Sequence, residues 1–202
     1  RPVTQYHWGG GTPTFLTEAE ITRLHEAFSR AFTLAPDAEV AIEVDPRHTT
    51  AAQIALLARL GFNRISLGVQ DFDHQVQEAV NRIQSFEQTR AVCDAARAAG
   101  IPSLNIDLIY GLPWQTPTGF AQTLERVLEI KPERVALFNY AHVPWIRKHQ
   151  TALPETAFPS PAVKMEIFTQ SVARFTAAGY DYIGLDHFAL PHDELAIARR
   201  NG

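Results

Sequence analysis

A repeated switch of hydrophobic period limits the fold of this chain more than any other feature. Short segments that alternate apolar with polar residues stand between longer segments whose apolar residues recur every three or four positions. The alternating pattern occupies residues 3–8 and returns at residues 40–44, 64–69 and 104–109, and the short runs at 135–138 and 182–185 read as further strands. The intervening segments carry helix start signals: Thr17 with Glu20, Thr50 with Gln53 and Ser85 with Gln88 read as capping pairs, and Thr116-Pro117 and Ser160-Pro161 place a cap before a first-turn proline. Gly61, Gly100 and Gly179 supply stops. Ile21, Leu24, Phe28 and Phe32 make the apolar stripe of the first helix, and Met165, Phe168, Val172 and Phe175 that of the last long one. Strands alternating with helices in this way predict βαβ units and a parallel sheet.

The polarity of the strand faces chooses among parallel-sheet folds. Val40, Ile42 and Val44, then Ile65, Leu67 and Val69, then Leu104, Ile106 and Leu108 fall on one side of their strands. The other side carries Glu43, Ser66, Gly68, Gln70, Asn105 and Asp107. A strand buried on both faces reads as nearly continuous Val, Ile and Leu, and a closed eight-stranded barrel fills its interior with branched apolar side chains. The expected fold is therefore α/β, a partial TIM-like barrel of parallel strands with outer helices and a polar ligand against its inner face. No internal repeat or second-domain boundary is visible, so residues 1–202 read as a single domain.

Charge and composition exclude several classes. The net charge is −4 and Lys and Arg are scattered singly, with no basic stripe for nucleic acid. No apolar run reaches membrane-spanning length. The single Cys93 offers no disulfide framework and fits a helix core. The expectation is a cytoplasmic monomer. The chain opens at Arg1, directly ahead of a strand, and is expected to be a piece of a longer polypeptide.

Polar residues collect at the carboxyl ends of the strands, where α/β barrels build their sites. Gly9, Gly10 and Gly11 break the first strand before Thr12, and three glycines permit positive φ and close approach of main-chain N–H groups to a ligand. Glu43 with Asp45, Gln70 with Asp71, Asp107 with Tyr110, and residues 139–142 follow on successive strands. Each has a plainer reading: Asp45 before Pro46 as an Asx turn, Asp71 or Asp73 as a helix cap, Asp107 as a structural group, Arg82 as a solvated helix end. Together they favour a ligand site. His142, His187 and His192 lack metal-ligand spacing.

The segments HWGGGTP (residues 7–13), IEVDP (42–46), SLGVQDF (66–72), VNR (80–82), NIDLIYGLPWQT (105–116), FNYAHVP (138–144) and GLDHFALPHDELA (184–196) resemble oxygen-independent coproporphyrinogen III oxidase, a radical S-adenosylmethionine family. The resemblance runs from Tyr6 to Gly202. It implies that Gly10, Gly11 and Thr12 offer backbone groups to S-adenosylmethionine and that Glu43 meets its ribose or ammonium. It further implies that Gln70, Arg82 and Asp107 contact its polar groups, some on a second molecule, and that Ala141 lines the adenine region. The implied substrate is coproporphyrinogen III, two of whose propionates are oxidatively decarboxylated to vinyl groups, giving protoporphyrinogen IX. The implied cofactors are S-adenosylmethionine and a [4Fe–4S] cluster, with an electron donor that the sequence does not identify.

One departure matters. The family's cluster takes its ligands from a CxxxCxxC run, and Cys93 matches none of it. That motif and the first barrel strand are expected upstream of Arg1, and a further domain downstream of Gly202, so the segment alone is expected not to turn over. Two rivals are a haem-binding chaperone of the same group and a barrel lyase. The latter wants a Schiff-base lysine at a strand end, where Lys131, Lys148 and Lys164 do not fall.

Overall fold

The computed structural model describes residues 1–202, the side chain of His149 excepted. Seven strands form one sheet in the order β1 (Val3–Trp8), β2 (Leu34–Val44), β3 (Arg64–Gln70), β4 (Ser103–Tyr110), β5 (Arg134–Asn139), β7 (His187–Ala189), β6 (Asp181–Gly184). β1 and β6 stand at the two ends of this strand order. The helices are α1 (Glu18–Ala31), α2 (Ala51–Arg59), α3 (His74–Ala79), α4 (Phe86–Ala98), α5 (Pro117–Ile130), α6 (Pro161–Ala177) and α7 (Glu194–Asn201). The chain packs as two compact units, residues 1–68 with 87–105 and residues 69–86 with 106–202.

In the first unit β1, β2 and β3 run parallel, with Trp8 opposite Ile42 and Ile42 opposite Ile65. Both capping boxes form. Thr17 accepts from Glu20 N at 3.3 Å while the Glu20 carboxylate accepts from Thr17 N at 2.8 Å. Thr50 and Gln53 exchange the same pair at 3.1 and 2.9 Å. Ile42, Ile54, Leu57, Ile65, Leu104 and Cys93 are fully buried, each large aliphatic contributing about 1.5–3 kcal/mol. The stripe expected on α1 is only partly a core face. Ile21 is buried, but Leu24 and Phe32 are about half exposed, and Phe28 stacks instead on Tyr6 with ring centroids 3.6 Å apart.

The second unit packs Phe120, Leu124 and Val127 of α5, Ile167 and Phe175 of α6, Val135 and Leu137 of β5 and Phe188 of β7 into its core. Thr116 caps α5 through Gly119 N at 3.0 Å, and Ser160 caps α6 through Val163 N at 3.3 Å. Met165, placed on the apolar stripe of α6 by its spacing, is 63% exposed.

The all-parallel expectation needs correction here. β7 is a strand that the sequence reading missed, and it runs antiparallel to both β5 and β6. Leu185 and Asp186 close the β6–β7 hairpin, Leu185 at φ +51° and 87% exposed. Three residues are too few to show a period of two, and the turn carries a leucine where glycine or asparagine would have signalled it.

The strand faces divide as expected. The apolar faces of β3 and β4 are buried, whereas Ser66, Gly68, Gln70, Asn105, Asp107 and also Glu43 of β2 are half-buried.

Candidate functional site

In the first unit the site begins where β1 ends. Gly10 and Gly11 lie at φ +80° and +70°, a region that costs most L-residues energy and that glycine enters freely. Gly9 meets a different constraint, because a Cβ there would stand 2.8 Å from Glu43 Oε1 and 2.8 Å from His7 Nε2. Glu43, one residue from the end of β2, accepts a hydrogen bond from Gly10 N at 3.3 Å, and its other oxygen lies 3.5 Å from His7 Nε2. The sequence-predicted Gly10, Gly11 and Glu43 thus form one cluster, followed by half-buried Thr12. Gln53 braces it from behind, donating to the carbonyls of Thr14 and Leu16 at 2.9 and 3.2 Å. Asp45 adopts the plainer role: it accepts from Arg47 N at 3.0 Å as an Asx turn and pairs with the Arg47 guanidinium at 2.7 Å.

In the second unit the end of β3 is strained. Gln70 lies at φ +69°, and Asp71 N donates to Val69 O at 2.9 Å, which makes Gln70 the central residue of a positive-φ γ-turn. Such backbone costs on the order of 1–3 kcal/mol and persists where the surroundings hold it. Arg82 is fixed by the end of α3. Its N–H donates to Gln77 O at 2.8 Å and Asn81 N donates to Glu78 O at 3.1 Å, a Schellman ending with Asn81 left-handed at φ +53°. The VNR segment is therefore a built helix stop that places Arg82, and Gln70, Gln77, Arg82 and Leu112 line one narrow crevice, too small to admit a water molecule.

Asp71 is buried at 1% exposure and bonded only to donors. Thr123 Oγ1 donates to it at 2.5 Å, Asp73 N at 2.9 Å and Gln115 Nε2 at 2.6 Å. Burial pushes its pKa above the ordinary aspartate value, and those three bonds oppose the rise. Asp73, not Asp71, caps α3, through Val76 N at 3.1 Å.

Beside this crevice a cavity of about 470 Å³ is lined by Gln70, Asn81, Ile109, Leu112, Tyr140 and Leu153 among others. Mostly apolar walls with a few polar groups suit a flat, partly apolar ligand such as a nucleobase. Tyr140 stacks on Phe158 at 5.7 Å, and burial raises the pKa of its phenol. Ala141, the next residue, is exposed, and its carbonyl accepts from Gln150 at 3.1 Å. Asp107 lies on the half-buried polar face of β4. The sequence reading missed Ile109, Leu153 and the buried amides of Gln77 and Gln115, whose partners no spacing announces.

These residues fit S-adenosylmethionine: left-handed glycines beside a half-buried carboxylate offer donors and acceptors to hydroxyls and an ammonium. They do not fit an iron–sulfur cluster. Cys93 is fully buried within α4, and no group of three His, Cys, Asp or Glu among the described residues could hold a metal.

The chain matches the family model of the Radical SAM superfamily over residues 1–127. It is 50% identical over 202 residues to the oxygen-independent coproporphyrinogen III oxidase of Escherichia coli (strain K12) and 48% identical to that of Synechocystis, with 100% of the chain covered in both. It covers 44% and 43% of those two proteins, so it spans less than half the length of the curated relatives it matches. The solved structure of coproporphyrinogen III oxidase (HemN) from Escherichia coli, a radical SAM enzyme, superposes with a TM-score of 0.96 at 50% identity, over 100% of this chain and 46% of that one. An archaeal Elp3 from Methanocaldococcus infernus shares the fold alone, with a TM-score of 0.63 at 15% identity over 83% of this chain and 44% of the other.

Proposed function

This chain belongs to the Radical SAM superfamily, and on that premise we propose that it is the major part of the barrel of an oxygen-independent coproporphyrinogen III oxidase, which converts two propionates of coproporphyrinogen III to vinyl groups. The observation that carries this reading is the 50% identity, across the whole chain, to proteins of that activity. Bound S-adenosylmethionine supplies the hydrogen-abstracting chemistry that precedes loss of CO₂.

The chain's own residues bind and orient. Backbone groups of Gly10, Gly11 and Thr12 approach the ligand where no Cβ intervenes, and Glu43, already accepting from Gly10 N, is placed to accept from ribose hydroxyls or the ammonium. In the second unit Arg82 suits a carboxylate, Gln70 and Asp107 suit hydroxyls or amines, and Ala141 is the residue after Tyr140, which lines the apolar cavity. The described residues offer no ligands for the cluster. The proposed setting is the cytoplasm, and no helix of the described residues is long and apolar enough to cross a membrane.

The test is an anaerobic assay of the full-length protein with S-adenosylmethionine, a reductant and coproporphyrinogen III. Protoporphyrinogen IX with 5′-deoxyadenosine is expected, and haem binding without either product would overturn the reading.

A further inference from the structure

Gln77 is the point at which the Gln70 and Arg82 turns are joined. It lies on α3, only 5% exposed, and every polar atom of its side chain is engaged. Its Nε2 donates to Asp71 O at 2.8 Å and to Gln84 O at 2.7 Å, and its Oε1 accepts from Gln84 N at 3.0 Å. Its backbone carbonyl accepts the N–H of Arg82. One residue therefore holds the far side of the γ-turn at Gln70 and both flanks of the turn that carries Arg82.

A second tie meets it from the other direction. Gln115 donates to Asp71 Oδ2 at 2.6 Å, and its own oxygen accepts from Gly111 N and Leu112 N at 2.6 and 2.9 Å. Leu112 lines the same crevice as Gln70 and Arg82. Left-handed backbone at Gln70 is not self-sustaining, and the bonds that oppose its relaxation run through Asp71, whose carbonyl is held by Gln77 and whose carboxylate is held by Gln115, Thr123 and Asp73 N.

We infer that Gln77 is a positioning residue for S-adenosylmethionine: its buried amide sets the spacing between the Gln70 and Arg82 side chains without touching the ligand. This rests on the assignment of Gln70 and Arg82 as ligand contacts. Misplacing those two side chains weakens the ligand's contacts, so affinity should fall in any variant that folds, beside the stability lost when Asp71 O, Gln84 O and Gln84 N lose their partner.

The experiment is anaerobic, non-reducing calorimetry of S-adenosylmethionine binding to the full-length protein with its cluster, alongside melting and steady-state kinetics. Gln77→Met removes the amide at nearly constant volume, and Gln77→Asn keeps an amide one methylene short. Either variant that folds should raise Kd and KM for S-adenosylmethionine about 10- to 100-fold, with kcat at saturation reduced by less than about threefold. Adding Gln77→Met to Arg82→Ala should weaken binding by less than Gln77→Met does alone, because the amide acts in part through the Arg82 side chain. A lowered melting temperature with unchanged Kd would overturn the inference, as would an effect that adds in full to Arg82→Ala. If Gln70→Ala and Arg82→Ala themselves leave Kd unchanged, it is the ligand assignment that fails; if they weaken binding and neither Gln77 variant does, only the positioning role fails.

Discussion

The carboxylate of Glu43 reaches across from β2 to accept a hydrogen bond from Gly10 N at 3.3 Å, and its other oxygen occupies space left open because Gly9 has no side chain. Alanine at Gly9 would place a Cβ 2.8 Å from Glu43 Oε1. The clash is with the ends of two flexible side chains, so they and not the backbone would move. Gly9→Ala is expected to change unfolding free energy by less than about 1 kcal/mol while weakening S-adenosylmethionine binding about tenfold, measured by chemical denaturation and calorimetry. A large loss of stability with intact binding would contradict this placement of Glu43.

Gln53 does more than complete a cap. Thr50→Ala removes one capping bond and should cost about 1 kcal/mol. Gln53→Met removes the reciprocal cap and also leaves the carbonyls of Thr14 and Leu16 without the amide that now donates to them. It should cost about 2–3 kcal/mol, and urea denaturation of the pair would show whether the order holds.

Asp71 predicts a pH dependence. Its folded pKa is raised, first by burial, so the native state holds the proton more tightly than the unfolded chain does. The stabilisation is present in full below the ordinary aspartate value, 3.8, and is lost as pH rises through the raised folded value. Asp71→Asn abolishes that titration and sets an amide N–H₂ against donors, costing about 1–3 kcal/mol. The stability advantage of the native protein over Asp71→Asn should therefore shrink as pH rises above the ordinary aspartate value of 3.8. A gap that widened with pH would reverse the assignment.

The β6–β7 turn offers a stabilising change. Leu185 at φ +51° is 87% exposed and contributes almost no packing. Left-handed backbone costs a non-glycine residue about 1–2 kcal/mol, so Leu185→Gly should raise stability by about 0.5–1 kcal/mol after glycine's entropy is deducted. Thermal melting of the two proteins decides it.

What was legible in the sequence follows from which forces are local. The capping boxes at Thr17 and Thr50, the Thr116-Pro117 and Ser160-Pro161 starts and the burial of Ile42, Ile65 and Leu104 depend on neighbours a few residues away or on a period of two. Polar Glu43, Gln70 and Asp107 were readable for the same reason, because alternation assigns a face. β7 was hidden by its three-residue length. Leu24, Phe32 and Met165 repeat at helical spacing, yet spacing does not state how wide a face the core covers. Gln77 and Gln115 bond to Asp71 and to turns several residues away, and only folding brings those partners together.

The most direct trial is a structure of the full-length protein with S-adenosylmethionine bound. The Glu43 carboxylate is expected within about 3 Å of a ribose hydroxyl or the ammonium, with backbone atoms of residues 10–12 against the ligand. A ligand bound elsewhere, leaving Glu43 on Gly10 N and solvent, would contradict the account.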